Sequence, residues 1–448
     1  MTRLRDWLGM VYGGELIGDA HRVDPRAAAR ALREEPALLG DDPYLACAAG
    51  DVDALRRATA ADPGWADRAG GSLNLPPLVA VTHSSLLRIP EHRDRLHRCA
   101  RLLLDAGADP NQRYVSPDGH TVSALYGAAG KYHDLALTTM LLEAGADPND
   151  GESLYHSLDD PACTRALVEH GARIAGSNAI YRSLDLPDPT ALRVLLEHGG
   201  DPNEPPGGAL IAQWGSPLMW GIRRGRSRAH IEALLDAGAD PATRTPDGTS
   251  AHSWAVQFGL DDVAALLRER AASGEAPETL TDEERFVAAC ARGDADEARR
   301  IRAARPDLPA ALGERQLRIL PELAAAGAGL GVRTMVELGW PIETRGGDWK
   351  ASALNLAVFR GDEPMTRYLL EHGASWTAKH GFGDNALGTL SWASCNEPQA
   401  AGDWAGCARA LREHGVPRAH RDPADPASVV AGGVSRPFSD DVTEVLLG

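Results

Sequence analysis

Six cysteines, at Cys47, Cys99, Cys163, Cys290, Cys395 and Cys407, are the first candidates for chemistry, as nucleophiles, metal ligands or disulfide partners. No CxxC occurs, and the closest two stand 12 residues apart. That spacing excludes a zinc knuckle and a small disulfide scaffold, and leaves buried, reduced thiols as the expectation. A phosphate-cradling loop needs G-x-x-x-x-G-K-[ST], and the nearest stretch is LYGAAGKY. There Leu125 stands where the first glycine belongs and Tyr132 where the hydroxyl belongs, so the stretch reads as a helix end. Gly327, Gly329 and Gly331 do not space as a dinucleotide loop. The chain has no HExxH and no GxSxG. A Ser–His–Asp set can assemble in space without a local signature, but nothing in the spacing points to one. The expectation is a protein that is not an enzyme and takes no cofactor or metal.

Two titratable types do recur at a fixed interval. Asp109, Asp147, Asp201 and Asp240 each sit in a GADPN-like phrase, and His170, His198, His372 and His414 each sit in an EHG phrase. Hard cations favour clustered oxygens, but aspartates one repeat apart cannot share an ion. A hydrogen bond within the local turn is the simpler role for the aspartates. A histidine just before a helix-ending glycine suits the negative end of the helix dipole.

The phrase holding these residues organises the chain. It reads LLLDAGADPN at Leu102–Asn111, MLLEAGADPN at Met140–Asn149, VLLEHGGDPN at Val194–Asn203 and ALLDAGADPA at Ala233–Ala242, with looser copies ending near Gly171, Gly339, Gly373 and Gly415. Gly107 to Gly238 is 131 residues in four steps, about 33 each. Gly238 to Gly339 is 101 residues, which demands two degenerate copies, found from Val263 and from Phe286. A second phrase, Ser-small-Leu-x-x-Ala, opens each unit at Ser123, Ser216 and Ser352, and loosely at Ser250. The leucines make one helical stripe, the glycine permits the left-handed turn that ends a helix, and Asp-Pro blocks continuation. The serine caps the next helix. One such helix pair cannot bury its stripe, and stacking does so.

With these phrases, in this order and at this period, the chain resembles the ankyrin-repeat family over roughly 420 residues. It is especially similar to a group of bacterial ankyrin proteins carrying YGAAG, GADPNDGE and a late SWAS…GDW segment. The resemblance implies an all-α solenoid of about eleven helix-turn-helix repeats with short hairpin loops. An atypical N-terminal helical cap is expected over 1–40, with Asp24-Pro25 opening a helix, and a first array of repeats over 41–273. A linker or irregular loop at 274–281, where the stack is free to bend, precedes a second array over 282–417, continuous with the first. A Pro-rich tail and capping helix fill 418–448, with Ser439 as N-cap.

Composition narrows the function. Hydrophobic residues are 43% and charged residues 24%, as in a globular protein. The net charge of −17 argues against a nucleic-acid binder built on a basic field. Of 46 basic residues only Lys131, Lys350 and Lys379 are lysines. The N-terminal apolar stretch is too short and interrupted for a signal peptide, and the uncharged run from Ala69 to Leu87 holds two prolines and a histidine, so no membrane span is expected. A monomeric cytoplasmic protein is the reading.

The resemblance also implies that the hairpins and the exposed ends of the first helices line a concave side. On that basis Trp214, Arg223, Arg224, Phe258, Trp349, Phe359 and Arg360 are candidate partner-binding residues, aromatic and Arg side chains that the repeat does not itself require. Trp220, Trp254 and Trp392 fall inside first helices and are expected in the core. The implied function is non-catalytic binding of a partner protein or peptide, with an acidic or aromatic segment suiting the arginines. Alternatives are an enzyme or small-molecule sensor with a site in the groove, and an acidic nucleic-acid mimic that occupies a basic partner.

Overall fold

The computed structural model describes residues 2–18, 23–207, 215–245, 248–271, 279–396, 401–425 and 427–448. The chain divides into two compact units, Met1–Gly207 with Asp236–Gly238, and Gly208–Leu235 with Ala239–Gly448. Both are mostly helical. No helix among the described residues is long and apolar enough to cross a membrane.

The first unit stacks helix pairs: Pro43–Ala49 with Val52–Ala61, Pro77–Thr82 with Pro90–Asp105, Ala124–Tyr126 with Leu135–Glu143, Ser153–Ser157 with Pro161–Glu169, and Ala179–Ser183 with Thr190–Glu197. First helices pack on first helices and second on second. The helix from Ala124 runs into a π-turn, Gly127–Lys131, so LYGAAGKY is a helix end as its spacing predicts. In the second unit the pairs are Pro217–Arg223 with Arg228–Asp236, Ala251–Gln257 with Asp261–Arg270, Asp282–Arg292 with Ala295–Ala304, Ile319–Ala326 with Gly329–Glu337, Ala353–Phe359 with Glu363–Glu371, and Ala386–Asn396 with Trp404–Glu413. The two degenerate copies thus form helix pairs. Their stacking is irregular: Asp282–Arg292 packs on Gly329–Glu337, a second helix. Residues 272–278, most of the expected linker, lie outside the described residues.

Local chemistry explains the elements. Ser123, Ser250 and Ser352 accept from the backbone N–H groups of Tyr126, Ser253 and Asn355 at 2.8, 3.0 and 3.3 Å. Ser216 makes no such bond. The second helices are opened instead by aspartates, among them Asp134, Asp160 and Asp362. Their ends turn at glycines held in the left-handed region, such as Gly145 at φ +97°. Asp109, Asp147, Asp201 and Asp240 accept from the N–H two residues on at 2.8–2.9 Å, the local turn bond expected of them. Asn111 links neighbouring copies, its Oδ1 accepting from the Asp147 N–H at 2.7 Å. Each EHG histidine sets its Nδ1 against the carbonyl four residues back, at 2.7–2.8 Å.

The chain is not purely α. His420–Arg421, Ser428–Ala431 and Val434–Pro437 form a three-stranded antiparallel sheet where only a Pro-rich tail is expected. Its tight hairpin turns on Gly432 and Gly433, both at positive φ, between runs of β-favouring residues. The final helix, Asp440–Leu447, packs on Trp404–Glu413 with Val442 and Leu446 fully buried. Ser439 precedes it without a capping bond from its side chain, its hydroxyl going to Asp441.

Candidate functional site

In a helix-pair stack, the short first helices and the hairpins between pairs face one side. Within each unit this side is covered differently, in one stretch of the first unit and two of the second.

In the first unit the N-terminal helix Thr2–Ile17, kinked at Gly13, lies across it. Tyr12 donates to the Ala80 carbonyl at 2.9 Å, Ser85 to Met10 O at 2.9 Å, and Glu15 pairs with Lys131. Trp7, Leu8, Val11, Tyr12 and Leu16 are all buried. Lys131 is therefore an intramolecular partner. Beside Glu15 a cleft of about 290 Å³ is lined by Asp118, His120, Tyr126, Glu152 and His156.

In the second unit the segment 314–326 covers the ends of Pro217–Arg223 and Ala251–Gln257. Arg315 bonds Thr245 at 3.2 Å and reaches Thr249, and its guanidinium lies 5.4 Å from the Trp254 ring centre. Glu322, itself buried, bonds Arg223 at 3.1 Å, and Asp348 bonds Arg223 at 2.8 Å and Arg224 at 2.6 Å. Both guanidinium groups lie against Trp220, 4.8 and 4.4 Å from its ring centre. Glu322 also accepts from the Gly347 N–H at 2.9 Å. Burial works against the Arg223 charge, but Glu322 and Asp348 outweigh it and raise its pKa. Burial likewise pushes the Asp348 carboxyl up, and Arg223 and Arg224 hold it below the usual range.

Two candidate residues are thereby corrected. Arg223 is 1% exposed and Phe258 5% exposed. Phe258 packs edge-on against Trp254, with ring centres 4.8 Å apart. Neither can meet a partner: Glu322, from a segment distant in sequence, folds over Arg223, and Phe258 is packed against Trp254. Arg224 is half-buried and neutralised by Asp348. Trp214 lies outside the described residues. Trp220 and Trp254 are buried, as their place in first helices predicts.

The third stretch is open. Trp349 and Phe359 are half-buried and Arg360 is exposed. Trp349 and Phe359 are joined by residues that the sequence reading missed or misplaced. Phe359 stacks on Trp392, with ring centres 5.5 Å apart and planes 15° apart. Trp349 meets Phe359 at 5.7 Å and His380 at 4.8 Å, and His380 meets Phe382 at 6.0 Å. Phe382 is 83% exposed and Trp392 51%, so Trp392 is not the core residue expected. The signal for both was register. Trp349 and Phe382 stand 33 residues apart, as do Phe359 and Trp392, so one aromatic pair is repeated in consecutive units. Trp392 ends the second turn of its helix, where Phe359 ends its own, and no segment among the described residues covers that level.

Both hairpins of this face are anchored from outside it. Asp348 is held by Arg223 and Arg224, and Asp384 by both arms of Arg436 from the terminal sheet, through Nε at 3.0 Å and a second bond from NH2. Burial holds the His380 imidazole below its ordinary value, against the pull of Asp384 and with the push of Arg345. Five cysteines are buried and Cys395 is partly so, all as free thiols. Burial pushes Cys99, Cys163, Cys290 and Cys407 up to about 12, which removes the thiolate a nucleophile needs. No group of His, Cys, Asp and Glu among the described residues is placed to hold a metal ion.

No family profile and no curated protein matches the chain. Solved structures that match include the ankyrin repeat domain of human ASB11, at 22% identity and a TM-score of 0.37, covering 53% of this chain and 98% of that one.

Proposed function

We propose that the chain is a non-catalytic binding scaffold of about eleven ankyrin-type repeats, which grips a partner protein on the aromatic face formed by Trp349, Phe359, Phe382 and Trp392. The observation that carries this reading is the aromatic pair repeated at 33 residues, half-buried in its first copy and exposed in its second. A fold does not need large apolar rings on its surface at equivalent places, and such rings are the groups that dominate binding energy at interfaces. Arg360 flanks the face while donating to Ala325 O at 3.1 Å, and Arg224 acts through Asp348. A monomeric cytoplasmic protein accords with six unpaired cysteines. The cleft at Glu15 and Glu152 favours a second reading, a small-molecule site, since polar side chains and Tyr126 line one cavity of about 290 Å³. The test of the first reading is affinity capture from native lysate with the intact chain and with its Phe382→Ala/Trp392→Ala variant. A protein retained by the first and lost by the second supports it. Identical captured sets overturn it.

A further inference from the structure

The aromatic face is flanked by positive charge. Arg345, Lys350, Arg360 and Lys379 surround it and all four are exposed. None has a carboxylate within ion-pair distance among the described residues. The two acids of its hairpins, Asp348 and Asp384, are already neutralised by Arg223, Arg224 and Arg436. Two of the three lysines of a chain with net charge −17 therefore stand at this one place. Lys350 adopts φ +51°, a backbone conformation rare for a residue with a Cβ, next to Trp349. The Trp349 carbonyl accepts from the Gly381 N–H at 2.7 Å, which ties the first hairpin to the second.

From this geometry we infer that the partner segment is an acidic, extended polypeptide with an apolar side chain at every third residue; the inference rests on the proposed function. The acidity follows from charge complementarity, which steers encounter and fixes register across an interface. The spacing follows from the repeat. Packed helices lie about 8–10 Å apart. A polyproline-like extended chain advances about 3.1 Å per residue with three residues per turn, so side chains three apart share one face. Side chains three apart thus advance by about one helix spacing and meet equivalent aromatic pairs in turn. The runner-up partner is single-stranded nucleic acid, which also stacks on aromatic rings beside cations. Four cations on a chain of net charge −17 are few for a polyanion whose affinity depends on many phosphate contacts.

The test is selection of random dodecapeptides displayed on phage against the intact chain, with Phe382→Ala/Trp392→Ala as counter-selection. Both side chains are largely exposed, so the variant should fold, and its melting curve checks this. Lys350→Glu/Lys379→Glu and oligo(dT) are the further arms. The expected result is enrichment of peptides rich in Asp and Glu with an apolar residue at every third position. Their affinity should fall at least tenfold in the charge-reversed variant, and weaken with salt. Peptides that depend on the aromatic pairs but lack the acidic bias or the spacing overturn this inference and leave the proposed function standing. Oligo(dT) binding more tightly than any peptide overturns the inference also. No enrichment over the counter-selected variant overturns the proposed function, and the inference with it.

Discussion

At the seventh residue of its first helix, one end of the second unit places Arg223 and Gln257, and the other end places Phe359 and Trp392. The former two are buried and the latter two reach solvent. The repeat position is the same, so the repeat does not decide the difference. What decides it is whether another segment lies over that level. Residues 314–326 bring Glu322 to Arg223 and Arg315 to the Trp254 ring. No described segment does this for Phe359 and Trp392. In the first unit the N-terminal helix plays the covering part. A place at the end of a first helix is thus not enough to leave a side chain free for binding; that level must also be left uncovered.

If the covers are structural, removing one should be costly. Deleting residues 1–18 takes away Trp7, Leu8, Val11, Tyr12 and Leu16, all buried. At about 2 kcal/mol for each, the loss is on the order of 10 kcal/mol, comparable to a whole domain's stability. The first unit should then be cleaved readily in limited proteolysis. An unchanged digestion pattern would show the helix to be a loosely held lid.

A smaller effect is expected at the other cover. Glu322→Ala leaves Arg223 buried beside Asp348 alone, and breaking such a pair costs about 3–5 kcal/mol. Urea denaturation should register it as a lower midpoint. Replacing both partners by apolar residues, Arg223→Met with Glu322→Leu, should restore most of the loss. A midpoint equal to wild type in the single variant would mean that the segment does not seal Arg223.

The open face should respond the other way round. Trp392→Ala is expected to change stability by less than about 0.5 kcal/mol, as a surface substitution, while costing about 2 kcal/mol in partner affinity. Thermal melts and titration calorimetry with a selected peptide separate the two. A large stability loss with intact binding would invert the comparison drawn here.

The smallest effect is in pH. The folded Asp348 carboxyl is depressed by Arg223 and Arg224 against the cost of burial. Its contribution is therefore present above the ordinary carboxylate value near 4 and is lost as pH falls through the lower folded value. The stability gap between wild type and Asp348→Asn should be constant from about pH 5 to 8 and close below about pH 4. A gap that varies across the neutral range would remove the ion pair from the account.

The helices, their caps and the turn bonds were legible because each is decided within one repeat. Ser352 caps Asn355 and Asp147 closes its own turn without help from elsewhere. The fate of Arg223 was not legible, since it depends on Glu322, 99 residues away, and no local pattern encodes that meeting. Trp392 and Phe382 were legible in principle, being the 33-residue images of Phe359 and Trp349. The place of Trp392 inside a helix points to the core, but its level along that helix is the informative coordinate. The terminal sheet was signalled by Ser-Val-Val-Ala-Gly-Gly-Val, a hairpin pattern hidden in a segment rich in proline.

Hydroxyl-radical footprinting read residue by residue in the mass spectrometer tests the central claim most directly, because it measures bareness and binding in one experiment. In the free protein, Phe382 and Trp392 should be modified rapidly, and Phe258, Trp220 and Trp254 slowly. Adding a selected peptide should protect Phe382, Trp392 and Trp349 and leave the slow set unchanged. Phe258 reacting as fast as Phe382, or a bound peptide that leaves Phe382 and Trp392 unprotected, would contradict the account.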